Sequence, residues 1–96
     1  MAVIAVIPAR YASSRFPGKP LHVIAGTPMV ERVRRLAAAA GSVDRVLVAT
    51  DDERIMEAVD RFGGDAVMTP ESCRNGTERV FEAVKATAAP EDVILN

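Results

Sequence analysis

A parallel α/β sheet with helical crossovers is the fold class that this sequence predicts. Three observations carry the prediction. Val3-Ile4-Ala5-Val6-Ile7 is an unbroken, mostly β-branched apolar run, the pattern of a strand buried on both faces. Short apolar runs then alternate with segments of helical periodicity, in the order β-α-β-α-β-α-β. Finally, caps and stops fall between those segments, with no internal repeat, linker or low-complexity stretch.

The elements follow in order. Pro8 is expected to end the first strand, and residues 9–20 read as a loop carrying two further prolines and Gly18. Residues 21–24 read as a short extended piece before Gly26. Thr27 suits an N-cap and Pro28 the first helical position. Met29, Val33, Leu36, Ala37 and Ala40 then recur at helical spacing as an apolar face, and Gly41 is a natural stop. Val46-Leu47-Val48-Ala49 forms the second strand. Thr50-Asp51-Asp52-Glu53 has capping-box spacing, with Thr50 as the cap, and Ile55, Met56, Val59 and Phe62 line the next helix up to Gly63-Gly64. Ala66-Val67-Met68 is a short third strand. Asn75 or Thr77 caps a third helix with Val80, Phe81, Val84 and Ala88 on one face. Pro90 closes that helix, and Val93-Ile94-Leu95 begins a fourth strand. A sheet of this class normally continues past such a strand, so the expectation is the amino-terminal part of a longer single domain, residues 1–96.

Composition narrows the class. Almost half of the 96 residues are hydrophobic and about a quarter charged, the balance of a globular chain. A formal net charge of −1 offers no basis for nucleic-acid binding. The apolar stretch 2–7 is too short for a signal peptide and nothing approaches a membrane span. With one cysteine, Cys73, no intramolecular disulfide is possible. A cytoplasmic location is expected, with neither nucleic acid nor membrane as partner.

Ligands of open α/β sheets bind beyond the carboxyl ends of the strands. Loops 8–20, 50–52 and 69–77 leave those ends. The first thirty residues carry Arg10, Arg15 and Lys19 and no acid before Glu31. Polyanions such as triphosphates need fixed cations and backbone N–H groups. Gly18 permits close backbone approach, Ser13 and Ser14 donate hydroxyls, Arg10 forks onto two oxygens and Lys19 supplies a point charge. An exposed, solubilising loop would carry the same residue types. Spacing excludes a Walker P-loop and a dinucleotide fingerprint. Asp51 and Asp52 are placed at a helix N-terminus, favoured there by the dipole. Asn75 with Glu78 makes a good cap by itself, which is compatible with ligand contact. Cys73 has no His placed to make it a nucleophile. His22 is assigned to the surface or to packing, and Tyr11 and Phe16 to anchoring the loop.

The stretch Pro8-Ala9-Arg10-Tyr11-Ala12-Ser13-Ser14-Arg15-Phe16-Pro17-Gly18-Lys19-Pro20-Leu21 resembles the signature loop of the CMP-Kdo synthetases, the 3-deoxy-manno-octulosonate cytidylyltransferases. Further segments match in order: Gly26-x-Pro28-Met29, Val48-Ala49-Thr50-Asp51-Asp52, Met68-Thr69 and Asn75-Gly76-Thr77-Glu78-Arg79. A His and a Ser commonly stand where this chain has Cys73 and Asn75; its version resembles a variant that includes plant members.

The resemblance implies a three-layer α/β/α, Rossmann-like sugar-nucleotide transferase fold, here incomplete, and transfer of CMP from CTP to Kdo with release of pyrophosphate. It makes Pro8, Ala9, Arg10, Ser13, Ser14, Arg15 and Lys19 nucleotide-binding, with Arg10 and Lys19 as the catalytic cations on the triphosphate and Ser13, Ser14 and Arg15 as their neighbours. Asn75, Gly76, Thr77 and Arg79 fall near base and ribose. It also implies Mg2+, bound by aspartates that lie beyond Asn96 in the family, and a homodimeric parent. This fragment would then hold nucleotide without catalysing the reaction. The rivals are a cytidylyltransferase for another acid sugar such as sialic acid, whose loops lack Arg15-Phe16-Pro17-Gly18, and a non-catalytic nucleotide-binding remnant.

Overall fold

In a computed structural model, residues 3–12, 17–73, 75–87 and 93–95 are described. The main sheet has four parallel strands: β1 (Val3–Ala9), β4 (Arg45–Thr50), β5 (Asp65–Met68) and β6 (Val93–Leu95). Their order is β5-β4-β1-β6. A two-stranded antiparallel hairpin, β2 (Val23–Ile24) with β3 (Thr27–Pro28), stands apart from it. The helices are α1 (Met29–Ala38), α2 (Glu53–Arg61) and α3 (Gly76–Thr87).

Two apolar clusters lie on opposite faces of the sheet. Ile4, Val6, Leu47 and Ala49 pack with Val80 and Ala83 of α3. Ala9 and Val48 pack with Val30 of α1 and with Ile55 and Val59 of α2. Adjacent strand residues thus serve different layers, which is why the strands read as unbroken apolar runs. Helices α1 and α2, which connect strands moving in one direction, share a face; α3, on the return crossover, takes the other. That division is what crossovers of a single hand require. The three-layer α/β/α architecture follows.

Several boundaries differ from the sequence reading. Pro8 does not end β1: it pairs in register with Ala49, and Ala9 with Thr50. Among the described residues β6 pairs with Val3, Ile4 and Ala5 and not with Pro8, so the missing N–H of Pro8 is tolerated there. Thr27 and Pro28 belong to the hairpin, and Pro28 takes the N-cap position of α1 without a side-chain cap. A 3-10 turn over Lys19–Leu21 replaces the start of the expected extended piece. Ala25 and Gly26 make the hairpin turn with φ of 51° and 82°, the positive pair of a type I′ turn.

The expected face of α1 is also corrected. Val30 and Glu31 are buried, whereas Val33 is 41 % and Leu36 76 % exposed. Helix α1 presents only its amino-terminal end to the sheet, so the full apolar stripe is not covered by the described residues. Phe81 of α3, likewise expected inside, is 64 % exposed, while Val80 and Ala83 carry the contact.

Candidate functional site: the cleft at the strand carboxyl ends

The reversal of strand order falls at β1, since the chain builds outward to β4 and β5 and then returns to β6 on the opposite side. Residues that follow β1, β4 and β5 meet in a cleft of about 360 Å³ lined by Arg10, Tyr11, Ala12, Asp51, Asp52, Glu71, Cys73 and Arg79. This is the location expected for a ligand site in an open α/β sheet.

Each wall has a local cause. Thr50 is still in β4, so it cannot cap α2; its Oγ1 accepts from the Asp52 N–H at 3.3 Å and bends the chain. Asp52 is the N-cap, its Oδ1 accepting from the Arg54 N–H at 2.8 Å. The Arg54 guanidinium grips the same carboxylate with Nε to Oδ1 at 3.0 Å and Nη2 to Oδ2 at 2.8 Å. Those hydrogen bonds hold the Asp52 carboxyl below the usual carboxylate range. Arg54 also lies 3.5 Å from the Tyr11 ring centroid. Tyr11 thereby fixes the loop, as expected. Its carbonyl accepts from the Gly18 N–H at 2.7 Å, and its ring lies 2.9 Å from where a Gly18 Cβ would stand. With φ of 73°, Gly18 is required both for its backbone and for that ring.

The floor rests on Arg79, which is fully buried. Its Nη1 donates to Thr69 Oγ1 at 2.6 Å and to the Pro70 carbonyl at 3.3 Å. Its Nη2 pairs with Asp51 Oδ2 at 3.4 Å, while its Nε–H is buried with no partner among the described residues. Asp51 therefore serves an ion pair with α3, beyond the helix-dipole role read from sequence. At the start of α3, Asn75 Oδ1 accepts from the Glu78 N–H at 2.9 Å, the predicted cap. Gly76 abuts Pro8 so closely that a Cβ would come within 3.3 Å of Pro8 Cγ.

Those sequence-derived residues that line a hollow divide among three. Arg10 and Arg79 line the cleft. Pro8, Ala9 and Lys19 line a small apolar hollow of about 150 Å³ against Met29 and Val30. Thr77 lines a groove shared with Cys73 and Phe81. Lys19 and Arg10, expected to act together, line different hollows, and both are exposed. Ser13, Ser14, Arg15 and Phe16 lie outside the described residues. Glu71 was not singled out by sequence, because nothing around it marks a motif.

A parallel three-layer sheet with a polar cleft at its strand-order reversal defines an open α/β protein of the class that binds ligands at its strand carboxyl ends. Residues 4–96 match the family model described as cytidylyltransferase, and the chain belongs to that family. It is 62 % identical, over its whole length, to the 3-deoxy-manno-octulosonate cytidylyltransferase of Maricaulis maris, and 57 % identical to that of Desulfatibacillum aliphaticivorans. The mitochondrial enzyme of the same name from Arabidopsis thaliana is 53 % identical over 98 % of the chain. These alignments cover 37 %, 40 % and 32 % of the relatives, so the chain spans about two fifths or less of their length. A solved structure of CMP:2-keto-3-deoxy-manno-octonic acid synthetase complexed with CTP superposes with a TM-score of 0.90 and 44 % identity. It is covered to 39 %, and this chain to 99 %.

Proposed function

We propose that this chain is the CTP-binding part of a cytidylyltransferase that makes CMP-Kdo from CTP and Kdo with release of pyrophosphate. The observation that supports the reading most is the likeness, across 99 % of the chain, to a synthetase complexed with CTP. In this reaction the anomeric hydroxyl of Kdo attacks the α-phosphorus, the bond to the β-phosphate oxygen breaks, and pyrophosphate leaves. Such transfers depend on positioning and charge neutralisation. Arg10, exposed at the cleft, is assigned to the triphosphate. Lys19, in the 3-10 turn Lys19–Leu21, is assigned to the leaving pyrophosphate. Asn75, Gly76 and Thr77 are assigned to the base end.

The family resemblance adds Mg2+. Asp51 and Asp52 are engaged by Arg79 and Arg54, and among the described residues no group of three or more His, Cys, Asp or Glu could hold a metal. The resemblance assigns its ligands to aspartates beyond Asn96, and no step is routed through the metal. A homodimeric parent, a cytoplasmic location and use of the product in lipopolysaccharide or plant cell-wall synthesis belong to the same proposal. Among the described residues no helix is long and apolar enough to cross a membrane.

The test is pyrophosphate release by the protein extended to the length of its relatives, offered CTP, UTP or ATP with Kdo or sialic acid. Release with CTP and Kdo is expected; release with sialic acid alone overturns the sugar assignment. Arg10→Ala is expected to abolish turnover without shifting the melting temperature, and undiminished activity would refute its role.

A further inference from the structure

Three carboxylates line the cleft, and they are not equivalent. Asp52 is consumed by capping α2 and by Arg54, and Glu71 is exposed on a loop. Asp51 alone is held from beneath by a buried cation, with its side chain 15 % exposed at the cleft. The same guanidinium ties Thr69 and the Pro70 carbonyl, so one side chain of α3 sets the ends of both β4 and β5. Among the described residues its Nε–H is buried without a partner, a cost that packing alone does not explain. An ionised carboxylate held by a neighbouring arginine is an acceptor-only group with a fixed orientation. Such a group favours an N–H donor and opposes a carbonyl. Cytosine presents an amine where uracil presents a carbonyl oxygen.

Building on the CTP reading above, we infer that Asp51, oriented by Arg79, is a specificity residue that selects cytosine over uracil through the exocyclic amine. Arg79 is then a positioning residue that acts through Asp51 without touching the nucleotide itself.

Titration calorimetry of the full-length protein with CTP and with UTP tests this, with melting curves as a control on folding. Wild type is expected to prefer CTP. Asp51→Asn, whose amide can donate as well as accept, is expected to weaken CTP binding about ten- to a hundredfold while UTP binding stays or tightens. Arg79→Lys, which keeps the charge and loses the fork, is expected to lose part of the discrimination. Equal weakening of both nucleotides in Asp51→Asn, or an unchanged preference, overturns the inference. Full discrimination in a folded Arg79→Lys overturns the positioning role, and if that variant unfolds, Asp51→Asn alone decides. A wild type that binds neither nucleotide instead overturns the proposed function.

Discussion

Gly18 and Ala25 both sit in the left-handed region, but only one of them is the residue that region favours. At Gly18 a β-carbon would meet the Tyr11 ring at 2.9 Å, as well as straining a φ of 73°. Gly18→Ala is expected to cost about 1–2 kcal/mol and to loosen the loop over the cleft. Ala25 is the opposite case. Its φ of 51° in a two-residue hairpin turn suits Asn or Gly, and Ala25→Asn should raise stability by about 0.5–1 kcal/mol. Denaturant midpoints of the two variants, moving in opposite directions from wild type, check the pair together.

Among the elements, helix periodicity located all three helices, yet it did not say how much of each stripe would be covered. In α1 the residues at helical spacing include Val33 and Leu36, which face solvent, while Val30 at the first turn is buried. Val30→Ala should therefore destabilise by about 2 kcal/mol, whereas Leu36→Gln in this chain should change stability by less than about 0.5 kcal/mol. Thermal melts of the two variants measure which face carries the packing. Helix α2 was more legible. Its end at Gly63-Gly64 is sharp in sequence because Gly63, with φ of 80°, lets the Gly64 N–H reach the Val59 carbonyl. Its start was misread by two residues, since Thr50 has the right chemistry for a cap but is committed to β4.

At the scale of the molecule, the layered sheet and the convergence of three loops could be read from strand patterns and the general rule for α/β sites. Long-range ion pairs could not. Arg79 and Asp51 are remote in sequence, and no local spacing announces that they meet. The Glu31 cluster was nearer to hand, because an acid three and four residues before Arg34 and Arg35 is a helical pairing pattern. What sequence hides is its burial. Glu31 accepts from Arg34 Nε at 2.6 Å and from Arg35 Nε at 2.7 Å, and Arg34 also reaches the Phe62 carbonyl beside the end of α2. The Arg34 hydrogen bond holds the Glu31 carboxyl below its ordinary range against the opposing pull of burial. Because its folded pKa is depressed, the stabilisation is complete above the unfolded value of about 4.3 and disappears as pH falls through the folded one. Acid unfolding of wild type should therefore steepen below about pH 4, and Glu31→Gln should be less stable at neutral pH with a shallower acid limb. Melting temperature followed from pH 7 to pH 3 reads both.

Strand β1 pairs with β4 through Ile4 to Ala9 and with β6 through Val3 to Ala5, the latter joining residues about ninety positions apart. Joining remote segments is slow, since the chain entropy of closing the loop is lost before the pairing compensates it. On a ribosome, β1 emerges before β4 and β6 and waits through some eighty residues of chain between Ala9 and Val93 before β6 arrives. Its apolar flank is open throughout that interval, and unpaired strand edges of that kind are what holdase chaperones capture and what aggregates form from. The strand that anchors the cleft is thus also the one most in need of protection during synthesis.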